Sequence, residues 1–437
     1  MKRLAASFVL LLLVALPLRA EIDIAEITTP GGLKAWHVEE TSIPFVALEL
    51  RFRGGASLDA PGKRGAINLM TALLEEGAGD LDARGFAEAR EALAASYRFS
   101  TGDDGLSISA QFLNENRDQA VALLRKALLE PRFDEDAIER VRAQILAGLK
   151  RRETDPDTIA GAAFDELAYD DHPYGSYYGG TVESVTSLTR ADILDAFTRA
   201  IARDRLYIAA VGDISAEELG ALLDGLLGDL PKEGAPMPEN VAFGATGGIT
   251  VLPFDTPQSV ARFGHAGVEV GTPEFFPAFI LNTIMGGGGF NSRLMTEVRE
   301  KRGLTYGIRT YLIDSEFSES LIGSVSTVNA RMAETIDVVR GEWERMAREG
   351  VTAEELETAK IYLTGAYPLR FDGNAPIARI LVNMQMQGYP TSYVKTRNAM
   401  IEAVTLEEIN RVAARLYRSD DLRFVIVGAP EELESDE

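Results

Sequence analysis

The sequence predicts an α+β protein built twice: two homologous α/β-roll domains, each an antiparallel-rich sheet packed with helices. Three observations carry this. Alternating segments of strand length end at glycines and are followed by helical apolar stripes. The same order of elements recurs in the second half of the chain. A length of 437 residues exceeds the size at which one hydrophobic core usually stops growing.

In the first half, Phe45 to Phe52 alternates and stops at Gly54-Gly55, as a strand entering a turn should. Gly65 to Glu76 reads as a helix striped by Ile67, Met70, Leu73 and Leu74. Leu106 to Phe112 is a second alternating strand, and Asp118 to Leu129 a helix with Val121, Leu124 and Leu128 on one face. A long helix runs from Asp134 to Arg152 and stops before Asp155-Pro156. A helix carrying Ile193, Leu194 and Phe197 leads to the strand Leu206 to Val211, closed by Gly212. Asp213 and Ser215 then read as turn and N-cap residues.

The second half repeats the order. Ser259 to Gly264 is strand-like and Glu274 to Met285 an apolar helix; Leu304 to Leu312 and Ser318 to Val325 are candidate strands. A helix from Ala330 to Glu349 precedes one capped by Thr352, with Glu355 in the capping-box position. Val404-Thr405 opens a last helix, and Leu422 to Val427 closes at Gly428. Gly54 and Gly212 are 158 residues apart, Gly264 and Gly428 are 164 apart, which favours two copies of one unit. The expected division is a leader over 1–20, a first domain over 21–230, a proline- and glycine-rich linker over 231–248, and a second domain over 249–437.

Lys2 and Arg3 precede an apolar run from Leu4 to Leu16, then Pro17-Leu18-Arg19-Ala20. This reads as a secretory signal cleaved after Ala20, hence a periplasmic protein; a membrane anchor is the alternative. The run is short for a bilayer span. The absence of cysteine removes thiolate nucleophiles, cysteine zinc sites and iron–sulfur clusters. A net charge of −23, or −26 without residues 1–20, repels phosphate backbones and argues against nucleic acid.

The three histidines, His37, His172 and His265, include no pair one helical turn apart, so neither HxxEH nor HExxH can form. They read as single structural residues. Gly286-Gly287-Gly288-Gly289 lacks a preceding strand and a following Gly-Lys-Ser/Thr; it reads as a flexible or tightly turned connection whose glycines can take positive φ, before a helix from Ser292 to Lys301. Arg299 near the end of that helix and Tyr306 just beyond the turn could donate hydrogen bonds to a peptide carbonyl; a merely solvated surface helix is the alternative. Glu75-Glu76 and Asp103-Asp104 are expected in solvent at an element end and a turn. No serine has a GxSxG context.

Phe52 to Asp59 leading to Gly65, His172-Pro173-Tyr174-Gly175, and Leu281 to Tyr306 together resemble the pitrilysin-like (M16) zinc peptidases, of the short two-domain type that includes mitochondrial-processing-peptidase-like proteins. The resemblance sets the family's HxxEH on Asn68 to Ala72, so that Asn68, Thr71 and Ala72 replace a histidine, the catalytic glutamate and the second histidine. The distal glutamate ligand falls at Gly148. The resemblance therefore implies no metal in this chain and no catalysis by it alone. It implies instead a glycine-rich loop at Gly286, Gly287, Gly288 and Gly289, with Arg299 and Tyr306 supporting a substrate in a heterodimer. The partner would be an exported subunit of similar size that carries HxxEH and zinc, and the substrate a peptide or unfolded polypeptide. A non-enzymatic scaffold or peptide-binding protein of the same fold is the alternative.

Overall fold

The structure, a computed structural model, describes residues 22–436, so the expected leader lies outside the described residues. The first half contains β1 (Ala25–Thr28), β2 (Lys34–Glu39), β3 (Phe45–Arg53), α1 (Ala66–Leu73), the short strands β4 (Gly77–Ala78) and β5 (Leu81–Asp82), α2 (Ala83–Ala92), β6 (Ser96–Thr101) and β7 (Gly105–Leu113). It continues with α3 (Arg117–Leu129), α4 (Glu135–Arg152), α5 (Pro156–Tyr169), α6 (Val182–Ser187), α7 (Arg190–Ala200), β8 (Leu206–Gly212) and α8 (Ala216–Leu227). Residues 231–247 carry no helix or strand.

The second half comprises β9 (Gly248–Pro253), β10 (Gln258–Ala266), α9 (Phe275–Asn282), β11 (Ile308–Asp314), β12 (Glu319–Val328), α10 (Met332–Glu349), α11 (Ala353–Ala366), α12 (Asn374–Met386), α13 (Tyr393–Ala403), α14 (Leu406–Leu416) and β13 (Arg423–Gly428). Strand order is β1-β2-β8-β3-β7-β6 in one sheet and β11-β12-β10-β13-β9 in the other. Read from β2 and from β9, both sheets run in the same order. In each, the last strand of the half pairs parallel with the strand from which that order is read, β8 with β2 and β13 with β9, and every other pairing in the two sheets is antiparallel. The chain is a duplicated α/β roll. Among the described residues no helix is long and apolar enough to cross a membrane.

Each sheet packs one face on helices of its own half, forming the two large cores. The opposite faces are covered reciprocally. Helix α12, from the second half, lays Ala378, Leu381 and Val382 on Trp36, Ala47, Ala209 and Val211 of the first sheet. Helix α5, from the first half, lays Ala160 on Val260 and Val427, and Phe164 on Ile322 and Val425, of the second sheet. This explains why β3 is buried on both faces although its sequence alternates. Its polar Glu49 is buried, accepts a bond from Ser109 Oγ at 2.8 Å, and is pushed up in pKa by that burial.

One boundary differs from expectation. The strand read as starting at Leu304 begins at Ile308, because Gly303 turns the chain at φ +62 and the Leu304 N–H bonds back to the Val298 carbonyl at 2.9 Å.

Candidate functional site

Helix α1, which carries Asn68, Thr71 and Ala72, is started by a carboxylate outside it. Asp59 accepts the N–H groups of Gly65 and Ile67, each at 2.8 Å, satisfying two of the donors that a helix leaves free at its N-terminus. Burial pushes Asp59 up to about 6 in spite of these bonds and of nearby Arg64. Gly65 has φ +93, and a Cβ there would stand 2.6 Å from the Gly179 carbonyl oxygen. Arg64 donates to the carbonyls of Ala56, Pro173 and Ser176 and to Asp103, drawing three segments of chain around the helix start.

On α1 the expected metal positions offer no metal chemistry. Thr71 is buried, and its hydroxyl donates to the Ile67 carbonyl at 2.7 Å. Asn68 and Gly148 line one cleft with Arg151, Arg152 and Tyr177, so the fold does bring the α1 and α4 positions together. What converges there is an amide, a bare backbone, two guanidinium groups and one carboxylate, Asp155, which accepts the Asp157 N–H. These residues do not fit a zinc ion, which needs several imidazole, thiolate or carboxylate ligands. No group of three or more histidine, cysteine, aspartate or glutamate side chains able to hold a metal occurs among the described residues.

The glycine run is a tight turn. After α9 the chain widens into a π-helical segment, Thr283–Gly287, and a second one spans Met295–Glu300. Such segments are rare and cluster at functional sites. The expected positive φ occurs in this run only at Gly289, at +66. Gly286 is needed for close approach, since a Cβ there would lie 2.5 Å from Thr310 Oγ1 on β11. Arg299, near the end of the second π segment, stacks over the Phe290 ring with 4.7 Å between Cζ and the centroid. Tyr306 is 93% exposed and Phe290 is 64% exposed. Neither the Arg299 guanidinium nor the Tyr306 hydroxyl has a hydrogen-bond or ion-pair partner among the described residues. The pair therefore presents uncommitted donors on one loop system, and no contact joins the two side chains.

Asp103 and Asp104 depart from the exposure expected of them. Both are half-buried, and burial raises both pKa values. Asp103 holds Arg64. Asp104 accepts the Tyr174 hydroxyl and, at 3.0 Å, the N–H of Glu316 from the other half. Arg53 completes this seam with an ion pair to Glu316. The histidines are structural. His172 Nδ1 accepts the Tyr174 N–H at 3.2 Å, while His265 bonds to Trp343 Nε1 at 3.0 Å and to the Ala266 carbonyl. Burial depresses all three histidine pKa values. Ser215 caps α8 in a capping box with Glu218, and Thr352 caps α11 with Glu355.

Two sequence patterns cover most of the chain: that of the insulinase (peptidase family M16) domain matches residues 36–181, and that of the peptidase M16 inactive domain matches 187–363. Similar proteins include the non-peptidase homolog YmxG of Helicobacter pylori, 28% identical over 389 residues, covering 89% of this chain and 90% of that one. An uncharacterized zinc protease of Mycobacterium tuberculosis is 26% identical over 393 residues, with 89% and 90% covered. A Pseudomonas fluorescens structure described as a peptidase M16 inactive domain superposes with a TM-score of 0.86 at 27% identity, over 94% of this chain and all of that one. A Helicobacter pylori protease at 15% identity shares the fold, with a TM-score of 0.83 over 93% of this chain and 99% of that one.

Proposed function

This chain belongs to the M16 peptidase family, and from that premise we propose that it is the non-catalytic subunit of an exported, periplasmic, heterodimeric zinc metallopeptidase. One observation carries the proposal: Arg299 and Tyr306 are held on a π-helical, glycine-packed loop system with no partner among the described residues, while α1 and α4 have no metal ligands. The partner would be a family member of similar size bearing HxxEH and the zinc ion. The name of the Helicobacter pylori relative, a non-peptidase homolog, supports a non-catalytic role.

In this reading the chain contributes binding and positioning. The Arg299 guanidinium, its plane fixed by Phe290, and the Tyr306 hydroxyl each donate to a carbonyl oxygen of an extended peptide. Donors aimed at an oxygen where negative charge develops strengthen as the reaction proceeds, so their removal lowers turnover more than it lowers binding.

The test is peptide hydrolysis by the two purified subunits, separately and mixed. Turnover is expected only in the mixture, and Arg299→Ala or Tyr306→Phe should cut it by about 100-fold with assembly retained. Chelator-resistant hydrolysis by this chain alone, or full turnover in both variants, contradicts the proposal. Full turnover in both variants would favour the scaffold role.

A further inference from the structure

The cleft between α1, the end of α4 and the loop around Tyr177 has a volume of about 530 Å³. Its charge is the reverse of a cation site. Arg152 lies flat on the Tyr177 ring, 3.6 Å from Cζ to the centroid, which fixes the guanidinium plane and leaves its edge N–H groups free. Arg151 folds back along its helix, so that Nη2 lies 3.8 Å from the point where a Cβ on Gly148 would stand. Gly148 is helical without a positive φ, and a Cβ there would stand in ordinary contact with the arginine.

Neither guanidinium forms an ion pair or a hydrogen bond among the described residues, and the Asn68 amide is equally uncommitted. The two guanidinium groups are consecutive in sequence and line the same cleft. The carboxylate that does line the cleft, Asp155, caps α5 by accepting the Asp157 N–H at 3.0 Å. Ile145 and Leu149 add an apolar wall.

We propose that this cleft binds a carboxylate group of a peptide, clamped by Arg151, Arg152 and Asn68. Two guanidinium forks and an amide match a planar monoanion, with bonds stronger than neutral ones. The field of Arg152 is already partly drawn on by Asp165, which disfavours a phosphate dianion. The volume and the apolar wall exceed what an isolated carboxylate would fill and suit the residues attached to it. The inference does not depend on the proposed function, because it concerns binding by this chain without a second subunit.

Calorimetric titration of the full chain with N-acetylated decapeptides of neutral sequence tests it. One peptide ends in a free carboxylate, one is amidated, and one is amidated but carries a single glutamate. At least one carboxylate-bearing peptide should bind about tenfold more tightly than the neutral amide, and which one does so identifies a terminal or a side-chain source. In the double variant Arg151→Gln/Arg152→Gln that advantage should vanish while the thermal midpoint stays put, since neither arginine holds the fold. Equal affinity for all three peptides, no measurable binding of any, survival of the preference in the double variant, or equally strong binding of inorganic phosphate would each overturn the proposal.

Discussion

The Tyr174 hydroxyl ties the two halves together: it donates to the Asp104 carboxylate and accepts the backbone N–H of Phe317 at 3.1 Å. Because Asp104 also receives the Glu316 N–H, one tyrosine and one aspartate together satisfy two consecutive amides across the seam. Removing the hydroxyl leaves the Phe317 N–H unpaired and takes away one of the two donors to Asp104. Tyr174→Phe should therefore destabilise the protein by about 1–3 kcal/mol. Thermal unfolding measures it, with Tyr306→Phe as the control expected to show no change, since that side chain is exposed and unpartnered.

Asp165 lies on α5, the helix that covers the second sheet, and burial pushes it up to about 6 against the pull of Arg262. Its folded-state value lies above the unfolded one, near 3.9. The protonated form thus favours the fold fully below about pH 4, and that contribution is lost as the pH rises through about 6. Asp165→Asn keeps the shape and removes the ionisation. The variant's advantage in stability over the natural protein should grow from near zero at pH 4 to about 1–2 kcal/mol at pH 7. Chemical denaturation across that range checks it, and a constant difference would refute it.

A chelator should leave this chain alone. Asn68, Thr71, Ala72 and Gly148 carry no metal-binding side chain, and of the four Asn68 and Gly148 line the cleft. Dialysis against EDTA is expected to leave the melting temperature unchanged. Elemental analysis of untagged protein should find zinc well below one equivalent. A stoichiometric ion bound at α1 would contradict the account.

Cutting the chain within residues 238–246, which carry no helix or strand, should not separate its halves. Helices α5 and α12 each cross to the opposite sheet, and the Gln385 amide donates to the Ile208 carbonyl at 2.9 Å. A protease site inserted there should give two fragments that co-elute on size exclusion and part only in denaturant.

The duplication was legible because its signals are local. Strands such as Phe45 to Phe52 and helices such as Asp134 to Arg152 declare themselves by periodicity, and their glycine stops recur at matching intervals. The reciprocal covering was not legible. An alternating strand reads as half-exposed, and nothing near Ala47 or Glu49 in sequence announces a helix that arrives more than 300 residues later. Asp103-Asp104 misled for the same reason, since a pair of acids in a turn looks solvated until Tyr174 and Glu316 close over it. The glycine run was read for conformational freedom, whereas at Gly286 the property that matters is lack of bulk beside Thr310. Gly148 falls on a ligand position only through the resemblance, and its place in one cleft with Asn68, Arg151 and Arg152 appears only in three dimensions.

The exchanged helices also set an order on biosynthesis. The strands of the first sheet are complete once Gly212 has been made, yet the helix that roofs its second face ends at Met386. For the interval between those two points a nascent chain carries an uncovered surface of Trp36, Val38, Ala47 and Val211, the kind of apolar patch that invites aggregation or chaperone capture. The amino-terminal half cannot reach its final burial before the chain through Met386 is present.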